Sequence, residues 1–209
     1  MQAVYLFLAL LIGGGLVLFG VGAGNGFGGL LNAVTGSGSS SNQSSAVSAA
    51  EKTAIKATQT NPSSAAVWAN LIQARWSNAT SNSADFTAGS GTFTAAGKTE
   101  LTNLTQDWQR YQALTKQPDP TIAILAARAY QYLGNYSSAA TAWQLITVAE
   151  PTAASAFECY AANAYAAKDT RVGDLASAKA LTLVPSVQRA LLKSKIQQAK
   201  TDPSVAESC

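Results

Sequence analysis

Histidine is absent from this chain of 209 residues, and charged residues make up only 12% of it. Without histidine there is no Ser-His or Cys-His dyad for nucleophilic catalysis and no ordinary zinc site. The aspartates and glutamates are scattered singly, so no spacing places two carboxylates for acid-base chemistry. The sequence therefore predicts a protein that is not an enzyme and that has no metal or cofactor.

Positive charge is also sparse. The chain has 14 lysines and arginines against 11 aspartates and glutamates, which gives a formal net charge of +3. No basic run is longer than an isolated pair such as Lys193 and Lys195. Proteins that bind nucleic acid carry a basic patch or stripe, so we expect no nucleic-acid partner.

Only two cysteines are present, Cys159 and Cys209, and they are too far apart in sequence to form a metal-ligand pair on their own. Cys159 lies on an apolar stripe beside Phe157 and Tyr160, which predicts a small buried hydrophobic residue. For Cys209 a free thiol and a cross-linked one are both open.

A long apolar run does occur near the start of the sequence. Residues 3–23 form an uncharged run of 21, which as an α-helix is long enough to cross the hydrocarbon core of a bilayer. The alternative is a cleaved signal peptide, but such a peptide has a positive first region, and Met1-Gln2 carries no charged side chain. We therefore expect residues 1–24 to be a retained single-pass anchor in the plasma membrane, and its small-xxx-small spacings leave self-association open.

Residues 25–45 are rich in glycine and serine, which predicts a flexible linker. Orientation of a span follows the positive charges near its ends, and the window after residue 23 holds none. The serine- and threonine-rich tether favours a domain outside the cytoplasm.

The strongest pattern lies between Pro120 and Pro151. Apolar residues recur there at helical spacing on both sides of a break at residues 133–135. They are Ile122, Ala123, Ala126, Ala127 and Tyr130 before the break, and Ala139, Ala142, Trp143 and Ile146 after it. The pattern predicts two short antiparallel helices whose facing alanines let the backbones approach closely.

This stretch resembles the tetratricopeptide repeat (TPR), a helix-turn-helix unit of 34 residues with the pattern W-x2-L-G-x2-Y, A-x3-F and P. Ala123, Ala126, Ala127 and Tyr130 stand in the first group, Ala139 and Trp143 stand in the second, and Pro151 closes the unit. Pro185 follows Pro151 by 34 residues, and Trp68 and Leu71 occupy the W-x2-L places of an earlier unit. The resemblance implies an all-α superhelix of about three helical hairpins, and the lysine-poor composition indicates a bacterial, membrane-anchored member.

The rest of the chain is interpreted on this basis as a repeat domain over 46–200 and a tail over 201–209. Predicted helices cover Ser48–Thr60, Ala65–Ser77, Thr99–Lys116, Ala153–Lys168 and Gly173–Val184. A capping helix, Ser186–Lys200, is predicted to bury Val187, Ala190, Leu191 and Ile196, because repeat arrays need such a cap to stay soluble.

The segment Asn78–Gly97 departs from the family, since it stands where a turn of a few residues should be. Loops of this length inside a compact unit are either functional or disordered. Two alternatives are open: the segment folds back through Phe86 and Phe93, or it is mobile.

The resemblance also implies where partners bind, because TPR arrays usually hold segments of other proteins along the concave face lined by their first helices. We call the stripe beside the core stripe the predicted groove; it consists of Gln73, Trp76, Ile124, Arg128, Tyr132, Glu158 and Tyr165. It lacks the lysine and asparagine set by which some family members clamp a terminal carboxylate. We expect an extended or helical partner segment held by apolar and aromatic contacts, with Arg128 selecting an acidic group. The alternative is that these side chains are solvated and idle.

Two functions follow from these expectations. The first is a membrane-anchored scaffold that binds segments of partner proteins. The second is a structural or assembly subunit of a membrane or envelope complex that packs through the repeat domain.

Overall fold

The protein is described here as a computed structural model, which covers the backbone of residues 40–209 and the side chains of residues 48–209. This part is mostly helical and its consecutive helices pack together, so the all-α prediction is confirmed. The helices are α1 Ser40–Thr60, α2 Ala65–Ser81, α3 Ala95–Leu114, α4 Pro120–Tyr132, α5 Tyr136–Ala149, α6 Ala154–Ala166, α7 Thr170–Leu183 and α8 Arg189–Thr201. Two short strands, β1 Phe86–Thr87 and β2 Thr92–Phe93, and two 3-10 helices, Ser186–Gln188 and Pro203–Ser208, complete it.

The predicted anchor, residues 1–24, lies outside the described residues, as does the first part of the predicted linker. Within the described part, no helix is both long and apolar enough to cross a membrane. The linker was predicted to end at residue 45, and α1 begins at Ser40. Once an alanine-rich helix has nucleated, each added residue gains a hydrogen bond at little cost, which lets the serines before it extend α1.

Helices that follow each other in sequence pack pairwise, α2 on α3, α4 on α5 and α6 on α7, and α5 packs on α6 as well. The turn within one pair recurs in the next. Gly134 has a φ of 72° and Lys168, 34 positions later, has a φ of 65°. The side chains of Asn135 and Asp169 then cap α5 and α7 by accepting main-chain N–H groups at 3.2 and 3.0 Å. The same local geometry therefore repeats at an interval of 34 residues.

The core is built from alanines and a few large side chains. Ala126, Ala127 and Ala139 are fully buried between α4 and α5, which allows the close approach that their small size predicts. Large buried side chains fill the remaining space, and each contributes about 1.5–3 kcal/mol by leaving water. They include Ile72, Leu101, Leu104, Trp108, Trp143 and Ile146.

The insertion is shorter than predicted, because α2 continues to Ser81 and α3 begins at Ala95. Between them β1 and β2 pair antiparallel, with Phe86 opposite Phe93. The ring of Phe93 is buried, so of the two alternatives for this segment the structure has the one that folds back.

A cluster of charges ties α1, α2 and α3 together. The guanidinium of Arg75 on α2 donates to Asp107 at 2.6 Å and to Glu51 and Glu100 at 2.9 Å each. The amide of Asn78 donates to the second oxygen of Glu51 at 2.7 Å. Burial raises the pKa of Glu51 and that of Asp107 above their ordinary values, although Arg75 acts in the opposite direction.

The face that α8 buries differs from the predicted one. Val187 and Leu191 are 86% and 65% exposed and Ala190 is exposed too, whereas Ile196, the fourth predicted residue, is buried. The buried stripe is Leu192, Ile196 and Ala199, which packs mainly on α6. These residues also recur at helical spacing. Their stripe is buried, and the stripe of Val187 and Leu191 is not, because α6 packs against the first of the two.

Candidate functional site

The predicted groove divides into two parts with different surroundings. At one end Trp76 of α2 and Tyr132 of α4 approach to 6.5 Å between ring centroids, as stacking of the first helices would require. The insertion supplies a third ring, Phe93, at 6.4 Å from Trp76 and 4.8 Å from Tyr132. Tilted and edge-to-face aromatic pairs stabilise a fold by more than the burial of their apolar area alone. This end of the predicted groove is therefore a packed aromatic cluster covered by the insertion.

At the other end Arg128 contacts the chain's own last residues. Because α8 ends at Thr201, we call residues 202–209 the tail from here on. The guanidinium of Arg128 donates through Nε and Nη2 to the main-chain oxygen of Cys209, at 3.2 and 3.1 Å. Arg128 was predicted to select an acceptor group on a partner segment, and in the structure its acceptor belongs to the tail.

Further contacts hold the tail along α4 and the start of α5. The buried amide of Gln131 donates to the carbonyl oxygen of Ala206 at 2.6 Å, and the Ala206 side chain is itself buried. The hydroxyl of Tyr136 donates to the carboxylate of Glu207 at 3.0 Å. Burial raises the pKa of Tyr136, so its hydroxyl keeps the proton that it donates. Polar groups on two helices therefore match the tail's main chain and its acidic side chain.

A disulfide joins Cys159 of α6 to Cys209 of the tail, with their Cα atoms 5.6 Å apart. Cys159 is buried as predicted, but it is covalently bonded and is not a free thiol. Cys209 takes the cross-linked state of its two alternatives. The disulfide closes a loop across 50 residues, so the tail is fixed to α6 by a covalent bond, in addition to its hydrogen bonds to α4 and α5.

Beside the disulfide, α6, α8 and the tail enclose an open cavity of about 530 Å³. Its wall includes Ala161, Ile196, Ala199 and the disulfide, which are apolar. Glu158 of the predicted groove also lines it and forms an ion pair with Lys195 of α8 at 3.1 Å. Glu158 of the predicted groove is therefore paired with the capping helix α8. The cavity combines an apolar wall with one half-exposed ion pair.

Tyr165 was predicted to line the groove, but it is only 7% exposed. Its hydroxyl donates to Asp174 of α7 at 2.8 Å and accepts from the hydroxyl of Ser177 at 3.1 Å. The ammonium of Lys200 lies over its ring, 5.2 Å from the centroid. Tyr165 therefore belongs to the packing of α6, α7 and α8, and it offers no surface to a partner.

Gln73 and Ile124, the remaining predicted residues, are half-buried on α2 and α4. Sequence reasoning missed Gln131, Tyr136 and the tail. The number of cysteines was the signal that could have identified the tail, because two cysteines in a domain expected outside the cytoplasm can form a disulfide with each other. No sequence signal distinguished Gln131 from other polar residues on α4.

In the part of the chain with described side chains, no group of three His, Cys, Asp or Glu residues is placed to hold a metal ion. Comparison with family models, with curated proteins and with solved structures finds no match to this chain.

Proposed function

We propose that this protein is a membrane-anchored scaffold in which a tetratricopeptide-like array binds segments of partner proteins along its first helices. The observation that carries the proposal is that Arg128 of the predicted groove, with its neighbours Gln131 and Tyr136, already binds a peptide segment, the tail. The side chains of Arg128 and Gln131 of α4 donate to main-chain oxygens of that segment. A surface that binds the chain's own residues in this way has the chemistry to bind a partner's.

The repeated turn supports the tetratricopeptide-like part of the proposal. Positive φ angles at Gly134 and Lys168 and capping by Asn135 and Asp169 recur at the 34-residue interval of that family. Successive pairs of helices that pack on each other are also the arrangement that a repeat array requires.

The disulfide supports a domain outside the cytoplasm. Disulfides form and persist in oxidising compartments and are rare in the cytosol, where thiols are kept reduced. With the apolar run of residues 3–23 as the anchor, we propose a single-pass membrane protein whose array faces that oxidising side. Protease added to intact cells or spheroplasts should then degrade residues 50–209, and full protection would contradict this orientation.

The test of the function is affinity capture from native membranes with the full-length protein, in the presence and in the absence of a dithiol, because a disulfide holds the tail at Arg128. Arg128→Glu reverses the charge at the centre of the groove, and Gln144→Glu adds the same charge on an exposed site of α5 as a matched control. We expect the proteins captured by the wild type and by Gln144→Glu to be lost with Arg128→Glu. If Gln144→Glu alone abolishes capture, the groove is not the binding site.

One observation favours the second function, a structural subunit. The large apolar residues that are exposed in the described part all lie on second helices or on the cap: Leu114, Val148, Leu175, Val187 and Leu191. A contiguous apolar patch is typical of contacts between subunits, and the exposed Val187 and Leu191 are only four positions apart. Sedimentation of the full-length protein carrying Val187→Ser and Leu191→Ser tests this role, since a packing subunit should lose an assembly that the wild type forms.

A further inference from the structure

The tail is held by side chains from several helices, as a ligand is held in a binding site. Residues of α4, α5 and α6 converge on it: Arg128 and Gln131, Tyr136, and Cys159. Its one buried side chain, Ala206, is 1% exposed and packs in the same apolar cluster as α6 and α8. A segment held by so many independent contacts covers this surface completely enough to exclude another peptide.

We propose that the tail is an intramolecular occupant of the partner site, that the disulfide between Cys159 and Cys209 keeps it there, and that reduction of this bond opens the site. This inference rests on the proposed function, and it adds the chemistry of the partner and the condition under which the partner binds.

The contacts of the tail define that chemistry. Arg128 is exposed and directs two N–H groups at one oxygen, an arrangement that binds a carboxylate more strongly than a neutral carbonyl. Tyr136 donates to a second acidic group, and the place of Ala206, which is 1% exposed, suits a small apolar side chain. The partner is therefore a short acidic segment that forms a turn around one small apolar residue.

Gln131 shows how a partner can bind better than the tail does. Its Nε2 group donates to Ala206, but among the described residues its buried Oε1 atom has no hydrogen-bond partner. A buried polar atom that lacks a partner destabilises the structure that contains it. A partner segment that presents a main-chain N–H to this oxygen would satisfy both groups of the amide.

The opening step is a thiol-disulfide exchange with a dithiol. One thiolate of the dithiol attacks a sulfur of the disulfide and forms a mixed disulfide, while the other cysteine leaves as a thiolate and takes up a proton. The second thiol of the dithiol then closes its own disulfide, which releases the remaining cysteine as a thiol. The protein gains two electrons and two protons, the dithiol loses them, and the tail becomes a tethered competitor that can dissociate.

The probe for the test is a fluorescent synthetic peptide with the sequence of residues 202–209 and serine in place of Cys209. Its binding is measured by fluorescence anisotropy on full-length oxidised protein, on the same protein after treatment with a dithiol, and on the double variant Cys159→Ser with Cys209→Ser. Covalent tethering holds the tail at a local concentration that a free peptide does not reach, so we expect the oxidised protein to bind at least about tenfold more weakly than the other two.

The matched variants are made in the double-cysteine background. Arg128→Ala removes the two donors and should weaken peptide binding by about tenfold or more, whereas Gln144→Ala on α5 should leave it unchanged. Equal binding to the oxidised and the reduced protein would overturn the inference, and so would the absence of binding to every form. Circular dichroism on each form establishes that the helices persist.

Failure of the inference can be told from failure of the proposed function. If oxidised and double-variant proteins capture the same partner equally and Arg128→Glu abolishes both, the function stands and the inference is overturned. If the peptide binds as expected but no form captures a protein from native membranes, the tail's role as an internal ligand is supported and the scaffold function is overturned.

Discussion

The guanidinium of Arg75 lies 2.6 Å from the carboxylate of Asp107, although the two residues are 32 positions apart in sequence. Two further carboxylates, those of Glu51 and Glu100, share the same guanidinium at 2.9 Å each. Three acids therefore surround one base at the junction of α1, α2 and α3. Because the acids outnumber the base, this junction should respond both to pH and to the loss of the arginine.

The first prediction concerns pH. The folded-state pKa values of Glu51 and Asp107 are raised above 4.5 and 3.8, so between those values and the raised ones the folded protein binds more protons than the unfolded chain. By linkage, these two groups lower the free energy of unfolding as pH rises through that window and restore it as pH falls. We expect Glu51→Gln to gain stability relative to the wild type as pH rises from 4.5, measured by urea unfolding with the exposed-site variant Glu150→Gln as control. A difference for Glu51→Gln that does not change with pH would contradict the linkage.

The second prediction concerns the arginine itself. Arg75→Ala leaves buried carboxylates without their counter-ion, and removal of one partner of a buried ion pair costs about 3–5 kcal/mol. Chemical denaturation of Arg75→Ala should show a loss of this size. Arg110→Ala, at an exposed position on α3, is the matched control and should change the free energy of unfolding little. A loss for Arg75→Ala no larger than that of the control would show that the cluster does not stabilise the fold.

The third prediction concerns the disulfide. It closes a loop across 50 residues, and the chain-entropy relation for such a loop gives a stabilisation of roughly 4 kcal/mol. Reduction with a dithiol should lower the free energy of unfolding by that order. The double variant Cys159→Ser with Cys209→Ser should be unaffected by the same dithiol. Unchanged unfolding of the wild type under reducing conditions would show that the bond does not form in solution.

The fourth prediction concerns the packing of the insertion against α3. A Cβ atom at Gly97 would overlap the carbonyl oxygen of Asp85 and would lie 2.9 Å from the ring of Phe93, so Gly97→Ala must displace the insertion. Overpacking of this kind costs about 1–3 kcal/mol. Gly89→Ala, whose added Cβ would meet no atom within 4 Å, is the control. Tryptophan fluorescence should change with Gly97→Ala, since Trp76 contacts Phe93; an unchanged spectrum and stability would contradict the packing.

The fifth prediction concerns neighbouring leucines on α8. Leu192 is 5% exposed and Leu191 is 65% exposed, so truncation should affect them differently. Leu192→Ala should cost about 2–5 kcal/mol, the range for a buried leucine. Leu191→Ala should lie within about 0.5 kcal/mol of the wild type. Thermal unfolding of the two variants measures this, and the reverse order would restore the face predicted from the sequence.

The local elements of the fold were predictable because each depends on a few neighbouring residues. The break at residues 133–135 was located correctly, since Gly134 adopts the positive φ that glycine favours and Asn135 caps the next helix. The ends of the insertion were not, because α2 and α3 extend into serine and alanine residues that are compatible with helix or loop until tertiary packing decides.

The candidate site was predictable only in part. The ring centroids of Trp76 and Tyr132 lie 6.5 Å apart, as stacking of the first helices would require, whereas Arg128, predicted to select an acidic group on a partner, donates to the tail in the structure. The identity of the acceptor was not predictable, because Arg128 and Cys209 are 81 positions apart and the tail carries no periodic pattern.

By itself the sequence determined the helical class, the turns and the apolar stripes of the central pair, because helical spacing and capping are set within a few residues along the chain. The tertiary structure decided which stripe of α8 is buried, where the tail lies and that Cys159 bonds to Cys209. Each of these depends on surfaces contributed by residues far away in sequence. Two apolar stripes of one helix differ little in free energy when the helix is taken alone. In the folded protein, the stripe that buries more apolar area against the neighbouring helices is the one that faces them.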